Sequence, residues 1–253
     1  MIKKKIFIDP GHGGSDPGAV GNGMRESDIN LDVSLQLSAL LQRNFDVKLS
    51  READISPLRR WQLANSWGAD LFLSIHVNAF TSPSANGTEI MVFDNGSWRT
   101  VQSRNFATML QRSFIAAIGT RDRGVRPDTQ SQHTSGLSVL RNTKMPAVLF
   151  ELAFITAGPQ FPDTNALRNR RCEMAHAIAV AVHKYFNVIM EEDDMRFQTV
   201  EEMPLWAQVE IRELINAGYL SGTGHGLNLT EDMIRTIILN KRQIDTLRKN
   251  LLA

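Results

Sequence analysis

Leu71-Phe72-Leu73-Ser74-Ile75-His76-Val77 is the stretch that decides the fold. It is a nearly unbroken apolar run. A strand without polar alternation is covered on both faces, the habit of parallel sheets lying between helices. Working outward, residues 6–9 read as a second buried strand, ending in the turn Pro10-Gly11-His12-Gly13-Gly14. Residues 46–50, 88–93, 139–140 and 147–151 supply further short strands. Between them lie helix patterns. Ile29, Val33, Leu37, Leu40 and Leu41 form one helical stripe, with Ser27 or Asp28 where its N-cap belongs. Residues 57–67, closed by Gly68, then 103–117 and 166–186, supply three more helices. This alternation predicts an α/β domain: a mixed, mostly parallel twisted sheet of about six strands flanked by helices.

After residue 186 the pattern changes. Ala207, Ile211, Leu214 and Ile215 make one helical face, ended by Gly218, and Thr230 reads as the N-cap of a second helix. Leu229 and Ile234 are placed for a hydrophobic staple across that cap, and Ile237, Ile244, Leu247 and Leu251 continue the stripe. The tail is therefore expected to be a small all-helical module. Charge divides the chain at the same place. Residues 1–189 hold 21 basic against 16 acidic side chains, while residues 190–253 hold seven against eleven. Glu191-Glu192-Asp193-Asp194 marks an acidic linker over residues 190–200, with the main domain at 1–189 and the helical module at 201–253. A solvated loop inside one domain has the same composition. So few residues make little core of their own, so the tail should dock on the first domain, a second copy or a partner.

Composition removes several classes of function. Of 253 residues, 42% are hydrophobic and 22% charged, enough for a real core. No run approaches the roughly 20 apolar residues needed to span a membrane, so no membrane insertion is expected. A net charge of +1 argues against a nucleic-acid partner. With Cys172 the single cysteine, neither a disulfide framework nor a cysteine-rich zinc finger can form, and any metal must be held by His and carboxylates. The basic start Lys3-Lys4-Lys5 precedes only Ile6-Phe7-Ile8, too short for a secretory apolar segment. A protein made in the cytoplasm is the expectation.

Ligand sites in open α/β sheets gather beyond the carboxyl ends of the strands. His12, Glu26 and His76 fall at such places, and Glu151 ends the apolar strand Ala147-Val148-Leu149-Phe150. Two imidazoles and a carboxylate are the ligand set of a catalytic zinc with an open fourth position. A further carboxylate that does not ligate can shuttle the proton, and Glu151 suits that role. Spacing alone leaves the matter open. A histidine at a strand end is often satisfied by hydrogen bonds, and a glycine-rich turn equally cradles phosphate.

Several motifs in order resolve the choice. Ile8-Asp9-Pro10-Gly11-His12-Gly13-Gly14, Arg25-Glu26, Ser50-Arg51 with Asp54, Arg60 with Ala64-Asn65, Ser74-Ile75-His76-Val77-Asn78-Ala79, Val139-Leu140-Arg141 and Pro146 to Glu151 resemble the zinc-dependent N-acetylmuramoyl-L-alanine amidases of the amidase-3 type. The resemblance covers roughly residues 4–186. It implies a peptidoglycan hydrolase that cuts the amide between the lactyl group of N-acetylmuramic acid and L-alanine of the stem peptide. It also implies one zinc ion held by His12, Glu26 and His76, with Glu151 as the acid/base. Asn78 and Arg141 stand in matching motifs and are expected near the substrate. Two departures are visible: Ala153 stands where the family usually has glycine, and residues 127–136, with His133, have no counterpart.

The tail looks like a fragment of wall-targeting modules in Pro204-Leu205-Trp206-Ala207 and Gly218-Tyr219-Leu220-Ser221-Gly222. It would bind a secondary wall polymer, or pair two copies as a homodimer. With no export signal read, the setting implied is endolysin-like: the wall is reached after release from a lysing cell, or during mother-cell lysis. The rivals are a zinc peptidase or deacylase acting on another amide, and a wall-binding protein with an inactive site.

Overall fold

The structure is a computed structural model. It describes residues 3–50, 57–131, 135–190, 196–197 and 199–221, then 227, 229–230, 233–234, 237–238 and 241. Arg51, Asp54, His133, the acidic run 191–194 and the turn at 222–226 lie outside the described residues. The chain divides into two compact units, Met1–Ile189 and Met190–Ala253.

In the first unit β1 (Lys5–Pro10) leads through a small antiparallel pair, β2 (Val20–Gly21) and β3 (Met24–Arg25), into α1 (Glu26–Leu41). There follow β4 (Asp46–Leu49), α2 (Pro57–Trp67), β5 (Leu71–Asn78), β6 (Thr88–Val92), α3 (Trp98–Ile118) and β7 (Asp122–Pro127). The unit closes with α4 (Ser138–Arg141), β8 (Ala147–Phe154), α5 (Pro162–Asn169) and α6 (Arg171–Phe186). The main sheet has six strands in the order β4-β1-β5-β8-β6-β7. The first four are mutually parallel, and β6 with β7 runs antiparallel to β8, so the sheet is mixed and mostly parallel as expected.

Strand alternation assigns the two apolar faces. Phe7, Phe72 and Leu149 join Ala64, Val139 and Leu140 in a cluster under α2 and α4. On the other face Phe150 meets Phe114 of α3 edge to face, with ring centroids 4.8 Å apart. Every residue of the α1 stripe named above is buried. Ser74, the polar exception in the apolar run, donates its hydroxyl to Asp9 at 2.8 Å.

Several elements differ from the expectation. Residues 139–140 form a helical turn, because two apolar residues are too few to show a period and the Leu137 carbonyl accepts from both Leu140 and Arg141 N–H. Strand β7, half polar at the sheet edge, gives no apolar run. The long last helix is two, broken at Arg170, whose φ/ψ of −128°/28° leaves the helical region. Helix α1 starts at Glu26, without a side-chain cap, since the carbonyls of Ala19 and Pro17 accept from the N–H of Glu26 and Ser27.

The second unit contains α7 (Leu205–Asn216) and is not all-helical. Strands β9 (Arg196–Phe197) and β10 (Leu229–Thr230) pair antiparallel. Two-residue strands leave no alternation to read, so the sequence pattern misses them. Thr230 Oγ1 also accepts from Met233 N at 3.2 Å, which is a capping contact. Phe197, Val200, Met203, Ala207, Ile211, Ile234 and Ile238 form this unit's own buried cluster. Among the described residues, no helix is long and apolar enough to cross a membrane.

Phe114 is fully buried where α3 meets β8. Phe114→Ala should destabilise the first unit by about 3–5 kcal/mol in urea unfolding. A loss under about 1 kcal/mol would mean that the α3 face repacks freely.

Candidate active site

The loop after β1 is shaped before it binds anything. Gly11 N donates to the Ile75 carbonyl at 2.8 Å, which ties the loop to β5. A Cβ at Gly11 would lie 2.3 Å from the His76 ring, so only glycine leaves the imidazole its place. His12 takes a left-handed backbone, φ 58°, a conformation that costs a residue with a Cβ roughly 1–2 kcal/mol. Arg60 holds it there, donating to the carbonyls of Pro10 and His12 at 2.6 and 2.9 Å and to Asp9 at 2.8 Å. On its outer side His12 Nδ1 meets Asp16 Oδ2 at 2.8 Å, which orients the ring and leaves Nε2 for the site.

Glu26, the first residue of α1, is buried between the two rings. Its Oε1 lies 3.0 Å from His76 Nδ1 and its Oε2 3.3 Å from His12 Nε2. The N–H groups of Val77 and Ala19 donate to those oxygens at 3.0 and 2.9 Å, and Asn30 adds a longer contact at 3.4 Å. One donor atom each from His12, Glu26 and His76 fall within 4.8 Å of one another. A Cβ on Gly18 would come within 2.7 Å of both Glu26 Oε2 and the His12 ring. Two imidazoles, one carboxylate and a cradle kept clear by Gly11 and Gly18 fit a metal ion.

The electrostatics follow from this packing. The hydrogen bond to Glu26 raises His12 to about 9, against the opposing effect of burial. Burial pushes Glu26 upward, but its hydrogen bonds with His12 and His76 outweigh it and hold the carboxyl well below the usual range. Glu151 goes the other way. Burial raises it well above the ordinary carboxylate value, and the nearby carboxylates of Glu26 and Glu89 add to the effect. It stands opposite His76 on β5 and opposite Glu89 on β6, and its Oε2 is buried with no hydrogen-bond partner.

His12, Glu26, His76 and Glu151 line one cavity of about 660 Å³, and Asn78 joins them. Arg141 is not brought to that wall. Its Nε donates to buried Asp128 at 3.2 Å, and its guanidinium fills the space beside Gly136. His183, on α6, is a core histidine bonded to the Ala179 carbonyl. The sequence reading missed Asp16, Glu89, Arg123 and Arg126. Asp16 stands four residues after His12 in the glycine turn, and Glu89 is an acid inside an apolar strand, as Glu151 proves to be, because β8 continues past that expected end to Phe154.

A family model described as N-acetylmuramoyl-L-alanine amidase matches residues 6–184. The chain belongs to that family. It is 41% identical over 159 residues to the N-acetylmuramoyl-L-alanine amidase LytC of Bacillus subtilis, covering 62% of this chain and 30% of that one. The endolysin of Bacillus phage SPP1 is 37% identical over 160 residues, covering 61% and 56%. This amidase-family chain thus spans only about a third to just over half of those relatives. Among solved structures, an N-acetylmuramoyl-L-alanine amidase from Clostridium difficile 630 superposes with a TM-score of 0.66 at 30% identity, covering 74% of this chain and 98% of that one.

The His12–Glu26 pair sets a pH window for the metal-free fold. A histidine raised from about 6.5 to about 9 stabilises fully below 6.5, and the contribution disappears as pH climbs through 9. Glu26, lowered, contributes above its unfolded value and loses that contribution in acid. With chelator present, the urea midpoint should therefore fall between pH 6 and pH 9.5, and His12→Asn should flatten the fall. Parallel profiles for the two proteins would trace the pH effect to other groups.

Proposed function

We propose that this chain is a peptidoglycan hydrolase that cleaves the amide between the lactyl group of N-acetylmuramic acid and L-alanine of the stem peptide. What carries the reading is one juxtaposition inside an amidase-family chain: a His/Glu/His donor set shares a cavity with a buried, unpaired carboxyl oxygen of Glu151. His12, Glu26 and His76 would hold one zinc ion. When bound, zinc supplies a Lewis acid for the scissile carbonyl and lowers the pKa of water toward 7.

The chain's own groups do the rest. Glu26 keeps its oxygens aimed by accepting from the backbone N–H of Val77 and Ala19. Asp16 fixes the tautomer of His12. Glu151 takes the proton of the attacking water and delivers it to the departing nitrogen of L-alanine, a transfer suited to a carboxyl whose pKa is raised toward the working pH. Asn78, whose Nδ2 donates to Glu89 at 2.7 Å, is assigned a substrate contact. Arg141 is assigned to hold Asp128, whose Oδ2 also accepts from Leu137 N at 2.8 Å.

Purified muropeptides should yield free stem peptide beginning with L-alanine, detectable by mass spectrometry. New amino termini inside the stem would instead identify a peptidase, the rival reading. Glu151→Gln should lower turnover by about 10²–10⁴-fold, the worth of a general acid/base, while zinc stays bound at one per chain. Near-wild-type turnover in that variant would remove Glu151 from the mechanism.

The second unit is assigned to placing the enzyme on the wall, whether by binding a secondary wall polymer or by pairing two copies. The endolysin among its relatives supports an enzyme that meets peptidoglycan after release from the cell that made it. The unit's own buried cluster and its exposed Leu205, Val209 and Tyr219 support a separate binding role. Removing residues 190–253 should reduce co-sedimentation with purified walls and spare hydrolysis of soluble fragments. Unchanged sedimentation would reject the placement role.

A further inference from the structure

Beyond the metal-binding residues the cavity has a second charged wall. Glu89 of β6 is buried, and its Oε2 meets Arg123 Nε at 2.9 Å and Arg126 Nη1 at 3.4 Å. Its Oε1 accepts from Asn78 Nδ2 at 2.7 Å. Both arginines sit on edge strand β7 and both line the cavity. Arg123 is fixed further, with its guanidinium 4.8 Å over the Phe154 ring and Nη1 donating to the Asn86 carbonyl at 3.4 Å. Among the described residues Arg126 makes one long contact, and its side chain is 39% exposed, which leaves most of its donors for a ligand.

One carboxylate cannot occupy two guanidiniums, each with five N–H donors. The surplus is a fixed positive charge beside the reacting amide. The geometry points to a carboxylate-recognising subsite at Arg123 and Arg126 that reads an acidic group on the peptide side of the scissile bond. This deepens the amidase reading and rests on it, because the peptide released there begins with L-alanine and carries its next acid one residue along. Arg126 is the reader. Arg123 is the positioning residue, held by Phe154 and Glu89 so that the two guanidiniums present one charged edge.

Two soluble substrates test this, N-acetylmuramoyl-L-alanyl-D-glutamic acid γ-methylamide, in which the α-carboxylate is the one free acid of the peptide, and the same compound with that carboxylate amidated. The chain of residues 1–253 with zinc should prefer the acid by about tenfold in kcat/KM, the size of one charge-assisted hydrogen bond. In Arg126→Gln the ratio should fall toward one, and Arg126→Lys should restore part of it. A purely structural arginine would shift both substrates together and leave the ratio intact, so a ratio unchanged by Arg126→Gln overturns the subsite. Calorimetry of the wild-type protein with the released dipeptide, acid against amide, separates the two claims. If neither substrate is cleaved but the acid binds better, the amidase reading fails and the subsite stands. If both are cleaved equally and both dipeptides bind alike, the subsite fails and the amidase reading stands.

Discussion

Asp9, 1% exposed at the end of β1, is the constraint on which the site depends. Its two oxygens accept from Ser50 just after β4, Ser74 in β5 and Arg60 in α2, at 2.5, 2.8 and 2.8 Å. A buried carboxylate is tolerated only when it is paired and fully hydrogen-bonded, so each of these partners is drawn to one point. That point is the floor of the loop carrying His12. Arg60 also donates to the carbonyls of Pro10 and His12, and a backbone in the left-handed region is kept there by interactions made below it. The cavity-facing geometry of His12 is therefore a consequence of how three strands and a helix close over Asp9.

The three acids around the cavity show how environment separates like groups. Glu26 lies between two imidazoles and two backbone N–H groups, and Glu89 between two guanidiniums and an amide. Glu151 lies on the strand between them with a buried oxygen that meets no donor, and both neighbours repel its negative charge. Glu26 is thus held as fixed charge while Glu151 is left able to carry a proton, the division of labour that acid/base chemistry requires. The register of β8 against β5 and β6 enforces it, since a slip of one residue would turn Glu151 to the opposite face.

What could be read from sequence follows from the range of the interactions involved. The apolar run 71–77 and the α1 stripe are local patterns that survive in the structure, whereas the strand read as ending at Glu151 runs on to Phe154 and leaves Glu151 mid-strand. His12, Glu26 and His76 are candidates by residue type and position, the family resemblance implies them as one set, and the structure brings those three side chains together. Residues 139–140 and edge strand β7 failed because neither has enough apolar residues to show a period. Arg123 and Arg126 were invisible for another reason. Their meaning comes from Glu89, more than thirty residues away and joined to them only through the β6–β7 pairing. Arg141 shows the converse: its place in a motif suggested substrate, while Asp128 and Gly136 hold its guanidinium away from the cavity wall.

The small net charge of the chain also acquires a local meaning. A near-neutral total is compatible with steep local fields, because low-dielectric walls keep opposite charges from averaging out. Within this one cavity, the carboxylate of Glu26 lines one part of the wall and Arg123 and Arg126 line another. In the proposed reading a cation is held at the first and an acidic peptide group at the second, and the amide to be cut lies between them, so the axis of the field orients the substrate before any proton moves. Strand β7, unremarkable in the sequence, supplies one pole of that axis, while the loop braced by Asp9 and Arg60 builds the other.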